Sequence, residues 1–142
     1  MREGRIFRAT AAQYGDLEWG GVTEAAPGEG MHTHLHQDVV EHAVQVIAAA
    51  RPLVEAVARR DRELGSQLRR ALSSVALNLA EGLATEAGNA RLRFETARGS
   101  LREAQAGLRV AVAWGYVSAE SAGEALEHLR LLGGRVYGLA RR

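Results

Sequence analysis

The sequence predicts an all-α protein, an up-and-down antiparallel four-helix bundle with a flexible N-terminal extension. Three observations predict it. Apolar residues recur at three- and four-residue steps through most of the chain after Asp38, the period of one helix face. Short links separate four such stretches, which favours antiparallel neighbours. No segment shows strand-like alternation of useful length.

Residues 1–37 read as the extension and 38–142 as the bundle. The first 30 residues carry six of the sixteen glycines and Pro27, and VTEAAPGEG reads as loop or disorder. Met31 stands just before the first convincing helix and is a candidate natural start, which the intact mass of native protein decides. The first helix runs from about Asp38 to Arg60, with Val39, Ala43, Val46, Ile47, Ala50, Val54 and Val57 on one face. Pro52 lacks a donor and crowds the preceding turn, so a kink or break is expected near Arg51.

The run from Arg59 to Glu63 reads as a solvated connection. Helix two covers about Glu63 to Leu83, with Leu64, Leu68, Leu72, Val75, Leu79 and Leu83 inward. Thr85 to Asn89 is a turn. Helix three runs from about Asn89 to Trp114, with an inward stripe of Leu92, Ala97, Leu101, Ala104, Leu108, Ala111 and Val112. Gly99 and Gly107 sit inside it although each costs about 1 kcal/mol against alanine, so close approach of a neighbouring helix is expected there. Gly115 ends that helix and Ser118 caps the next. Helix four reaches the C-terminus through Ala122, Leu126, Leu129, Leu132, Val136 and Leu139.

At 142 residues the chain is one domain by length, and it contains no cysteine. Disulfides, thiolate metal sites and cysteine nucleophiles are thereby excluded. No apolar run approaches the roughly 20 residues that span a bilayer, and the start lacks the apolar region of a secretory signal. A soluble, cytoplasmic protein is expected. The net charge of +1 divides unevenly: residues 1–50 hold three Arg against seven acids, and residues 51–142 fifteen Arg against ten acids. Lysine does not occur. The plain reading of that choice is compositional bias of the coding sequence; whatever its cause, the guanidinium fork pairs bidentately with carboxylate or phosphate.

Arg70, Ser74, Asn78 and Glu81 follow a second helical stripe beside the buried face. Structurally, Ser74 and Asn78 satisfy partners across the contact of helices two and three, while Glu81 pairs with Arg98 or Arg70. An unpaired buried polar group costs about 1–3 kcal/mol, so such groups fix register. A hydrolytic or ligand site would need an adjacent base, and helices two and three contain no histidine.

His32, His34, His36 and His42 resemble metal ligands in an extended segment. They lack a carboxylate or thiolate at a convincing spacing, so a solvated cluster and no metal are expected. Glu124, Glu127 and His128 do not reproduce the Glu-x-x-His order of di-iron bundles. Phosphate-loop, zinc-protease and serine-hydrolase motifs are missing too. No cofactor and no small-molecule substrate are expected.

Arg59, Arg60, Arg62, Arg69 and Arg70 gather around the start of helix two, and Arg91, Arg93, Arg98, Arg102 and Arg109 run along helix three. Some pair with Glu63, Glu95 and Glu103 at helical spacing. The others are candidate phosphate contacts. The few aromatics, Trp114, Tyr116 and Tyr137, do not read as a base-stacking platform.

QLRRALSSVALNLAEG at Gln67–Gly82, RFETARGSLREAQAGL at Arg93–Leu108 and AVAWGYV at Ala111–Val117 resemble the four-helix-bundle proteins encoded in 23S rRNA intervening sequences. That family is similar to the accessory variability proteins of diversity-generating retroelements. Gln67, Leu68, Arg69, Arg70, Ala71, Ser74, Asn78, Ala80, Glu81 and Gly82 match its first motif, and Ala97, Gly99, Ser100 and Glu103 its second. Two departures are visible: Arg-rich ARRDREL stands where many relatives have an aromatic-proline segment, and Val75-Ala76-Leu77 where many have Ile-Pro.

The resemblance adds Ser100 and Glu103 to the structural polar cluster of Ser74, Asn78 and Glu81. It implies a ring, commonly a pentamer, with no catalytic activity, and for the retroelement relatives binding to a reverse transcriptase and nucleic acid. The expected function is a non-enzymatic scaffold or adaptor that self-assembles and contacts RNA, DNA or a reverse transcriptase. The alternative is a protein-interaction module without nucleic-acid binding; a metal-dependent enzyme built on the N-terminal histidines is the third reading. Repetition around a ring would add weak phosphate contacts through multivalency.

Overall fold

A computed structural model describes the backbone of residues 30–142 and the side chains of residues 39–142. The predicted flexible extension lies outside the described residues up to residue 29. Four helices follow: α1 (Gly30–Arg60), α2 (Arg62–Leu83), α3 (Ala87–Ala113) and α4 (Ala119–Ala140). Each packs on its sequence neighbour, α2 with α3 most extensively, and α1 against α4 closes the bundle.

The register is antiparallel. Going backward along α2, Gly82 faces Phe94, Ser74 faces Ser100 and Leu68 faces Gly107, so α3 numbers rise as α2 numbers fall. Small residues at these crossings are required by distance. A Cβ on Gly65 would lie 2.5 Å from the Ala58 Cβ and 2.7 Å from its Cα, and one on Gly107 would lie 2.7 Å from Leu68. Gly99 is different: a Cβ there meets nothing within 4 Å, so the expected close approach occurs at Gly107 and not at Gly99.

The inward stripes form one apolar cluster, with Val57, Leu79, Leu108, Leu129, Leu132 and Val136 almost wholly excluded from solvent. One assignment is corrected. Leu92 is 66% exposed, and Phe94 takes the inward position against Gly82 at that end of α3. Phe94 stands three residues before Ala97 and seven before Leu101, in phase with the inward stripe, whereas Leu92 is five residues before Ala97 and falls on the outer side.

Three boundaries also differ. α1 begins at Gly30, eight residues before the expected start, so HxHxH belongs to helical backbone; its side chains lie outside those described. Residues 31–38 contain neither proline nor glycine, so a helix nucleated by the apolar face propagates into them. Pro52 does not break α1. It is exposed, and the carbonyl one turn before it faces a side where water can replace the lost donor.

The expected solvated connection at Arg59–Glu63 shrinks to Asp61 alone. Asp61 has extended φ/ψ of −148° and 99°, and its carboxylate Oδ1 accepts from the Leu64 N–H at 2.9 Å, an N-cap. At the α3–α4 link, Gly115 adopts φ +74°; its N–H donates to the Val112 carbonyl, and the Tyr116 N–H to that of Ala111. That pair of bonds is a Schellman termination and requires a residue tolerant of positive φ. Ser118 caps α4 as expected, accepting from the Ser121 N–H at 3.1 Å.

Candidate functional site: the polar seam and the arginine faces

The α2–α3 seam holds the predicted polar cluster in part. The Ser74 and Ser100 hydroxyls lie 2.8 Å apart across the two helices, and Ser100 is 8% exposed. Asn78 Nδ2 donates to the Ser74 carbonyl at 2.8 Å and the Ser74 Oγ at 3.1 Å. Asn78 therefore acts within its own helix, orienting the hydroxyl that crosses to α3. Four-residue spacing places these groups in line, and the antiparallel register supplies Ser100 opposite.

Glu81 crosses the seam too, but to Arg93 at 3.0 Å and not to Arg98 or Arg70. Arg98 instead grips both oxygens of Glu95, each at 3.0 Å, three residues away on its own helix. Phe94 stands inward beside Gly82, which sets Arg93 beside Glu81. Glu103 leaves the cluster: it is exposed on the outer α2–α3 groove with Gln67 and Val110, and forms no hydrogen bond or ion pair among the described residues.

The arginines do not make one patch. Arg59, Arg60 and Arg62 occupy the end of the bundle where α1 passes to α2, whereas Arg91 and Arg93 begin α3 at the opposite end. The 22 residues of α2 separate these ends by about 33 Å. Arg69 lines the α1–α2 groove with Arg51, over a floor of Ile47, Val54 and Leu72; its cavity is about 320 Å³. Arg51 bonds Glu55 at 2.9 Å, holding that carboxyl below the usual carboxylate range. Glu127 is lowered in the same way by the Arg130 hydrogen bond. Arg70 is exposed on the outer side of α2. Arg98 and Arg102 face a third groove, between α3 and α4.

Two contacts were not expected from the sequence. The Tyr116 hydroxyl donates to the Asp61 carboxylate Oδ2 at 3.3 Å, and the Arg60 guanidinium lies 5.8 Å from the Tyr116 ring centre. Partial burial first, and then the Asp61 charge and hydrogen bond, raise the Tyr116 hydroxyl above its ordinary range, with Arg60 opposing. The signal was present as an Asp ahead of a periodic stretch, a helix-start pattern. The second contact joins Arg135 Nη1 to His42 Nδ1 at 3.0 Å, so His42 fastens α1 to α4 and is half-buried in place of joining a solvated cluster.

No helix among the described residues is long and apolar enough to cross a membrane. No curated protein matches the chain. Among solved structures, it is similar to a protein of unknown function from the S23 ribosomal protein family of Bacteroides thetaiotaomicron. The TM-score is 0.62 at 14% identity, covering 76% of this chain and 99% of that one, a likeness of fold. Residues 36–138 match the family described as 23S rRNA-intervening sequence protein. The seam residues Ser74, Asn78 and Ser100 stand within that span in a four-helix bundle, and the chain belongs to the 23S rRNA-intervening sequence protein family.

Proposed function

We propose that this chain is a non-enzymatic, cytoplasmic scaffold or adaptor that assembles with copies of itself into a ring, five-membered as in the relatives it resembles, and presents arginines to nucleic acid or a reverse transcriptase. The kinship with retroelement accessory proteins is part of this reading. The observation that supports it best is an apolar ridge on the outer α2–α3 face. Leu92 is 66% exposed, Val110 43% and the cap residue Trp114 70%, and they recur at helical spacing with Gly99, Glu103 and Ala106 between them; Leu77, 63% exposed, stands on α2 at the level of Ala97. Clustered exposed apolar groups favour a protein partner, and a second copy covers them without another gene product.

The test is the mass of the full chain in solution by light scattering, with nucleic-acid binding measured at about 50 and 200 mM salt. A single species several protomers in mass, dissociated by Leu92→Glu, supports assembly. A monomer at every concentration rules it out. Affinity that falls steeply with salt supports the phosphate contacts. Assembly without any binding of nucleic acid selects the protein-interaction module, which the net charge of +1 favours.

A further inference from the structure

We infer that the α3–α4 groove around Tyr137 is a binding site for an unpaired nucleotide of single-stranded nucleic acid, its base stacked at the Tyr137 ring and its phosphates held by Arg102 and Arg141. The inference rests on the nucleic-acid part of the function proposed above and gives it a place and a strand class.

Tyr137 is 44% exposed in the second half of α4. Two guanidiniums lie on its ring, that of Arg98 at 4.8 Å and that of Arg141 at 5.3 Å from the centre. They differ in freedom. Arg98 is half-buried and held through both nitrogen–oxygen contacts to Glu95. Arg141 is the exposed cap residue beyond the last turn of α4, with no carboxylate partner among the described residues. An incoming base can displace Arg141 from the ring while Arg98 stays, keeping one cation against the π face.

Beside the ring lies a cavity of about 240 Å³ lined by Arg98, Leu101, Arg102, Gln105, Gly133 and Tyr137. Arg102 and Gln105 make no hydrogen bond or ion pair among the described residues. A guanidinium and an amide beside a stacking ring match what a nucleotide presents: a phosphate for the fork, and base-edge donors and acceptors for the amide. Glycine keeps this stretch of α4 open. A Cβ at Gly134 or Gly138 would meet nothing within 4 Å, and one at Gly133 only Leu101 at 4.0 Å, so helix packing does not require these glycines. Each is nevertheless unfavourable in a helix, and their absence of side chains leaves a flat approach to the ring. Duplex bases are stacked on one another and cannot reach Tyr137, so the site selects unpaired strands.

Full-length protein is titrated into fluorescein-labelled oligouridine, oligothymidine and a duplex of equal length, with anisotropy read at about 50 and 200 mM salt. The single strands bind more tightly than the duplex. Tyr137→Leu weakens single-strand binding about tenfold and leaves the duplex unchanged, while Tyr137→Phe keeps wild-type affinity. Arg102→Gln lowers the logarithmic salt slope for single strands by about 0.7. If Tyr137→Leu unfolds early in a melting control, Arg102→Gln, at an exposed position, carries the comparison, and an unchanged single-strand salt slope in that variant overturns the site.

Equal binding of strand and duplex, indifferent to Tyr137, overturns this site and leaves arginine-mediated binding elsewhere standing. Failure to bind any strand ends both nucleic-acid readings, and the assembly measurement then stands alone.

Discussion

Ser74 shows how a small polar group can carry register. Its hydroxyl meets Ser100 on α3, and Asn78 holds it from one turn further along α2. A net hydrogen bond of this kind contributes about 0.5–1.5 kcal/mol. Ser74→Ala and Ser100→Ala therefore each lower stability by about 1 kcal/mol, and a double-mutant cycle in urea returns a coupling of about 0.5–1 kcal/mol. Purely additive losses would remove the bond from the account. Tyr116 gives a second prediction at this scale. Its folded pKa lies above the ordinary value of 10.0, so the stability linked to it is complete below that pH and lost as pH rises through the folded value. Tyr116→Phe flattens the decline of melting temperature above pH 10.0 relative to wild type, and an unchanged alkaline decline would deny the linkage. The serine–asparagine spacing was readable in the sequence because it repeats with the helix. The partner of Glu81 was not, since Arg93 is chosen by the register between two helices, and Ser100 was named only through the family resemblance.

At the scale of elements, glycine separates two causes. Gly65 lies against the Ala58 backbone and Gly99 faces open space. Gly65→Ala forces the α1–α2 crossing apart and costs about 1–3 kcal/mol. Gly99→Ala, free of that contact, raises stability by up to about 1 kcal/mol through helix propensity. Thermal melts of the two variants should move in opposite directions; a rise in both would mean that α1 and α2 tolerate separation. Helix periods, the Gly115 stop and the Ser118 cap followed from local chemistry. The one-residue link at Asp61 did not, because a charged run looks the same whether it lies in a loop or on two helix ends.

Across the whole molecule, four helices share one apolar cluster, so the bundle should unfold as a unit. Leu129→Ala, deep in that cluster, lowers stability by about 2–5 kcal/mol while circular dichroism and tryptophan fluorescence keep coincident transitions. Separated transitions would show that the helix pairs fold independently. Charge behaves differently at this scale. The arginine-rich half divides among bundle ends and grooves, and no sum over the sequence predicts which guanidiniums meet. In the sequence Trp114, Tyr116 and Tyr137 do not read as a base-stacking platform; in the fold Arg98 reaches Tyr137 from α3 because antiparallel packing brings residues 39 positions apart together.

Local sequence sufficed for the existence of the helices, for most of their ends and for the apolar face of each, because those properties depend on neighbours three or four residues away. Packing of helix on helix, by contrast, set Glu81 against Arg93 and gathered Arg98, Arg102 and Arg141 around Tyr137. Each of those outcomes depends on the offset and rotation of one packed rod against another, and interlocking volumes set both.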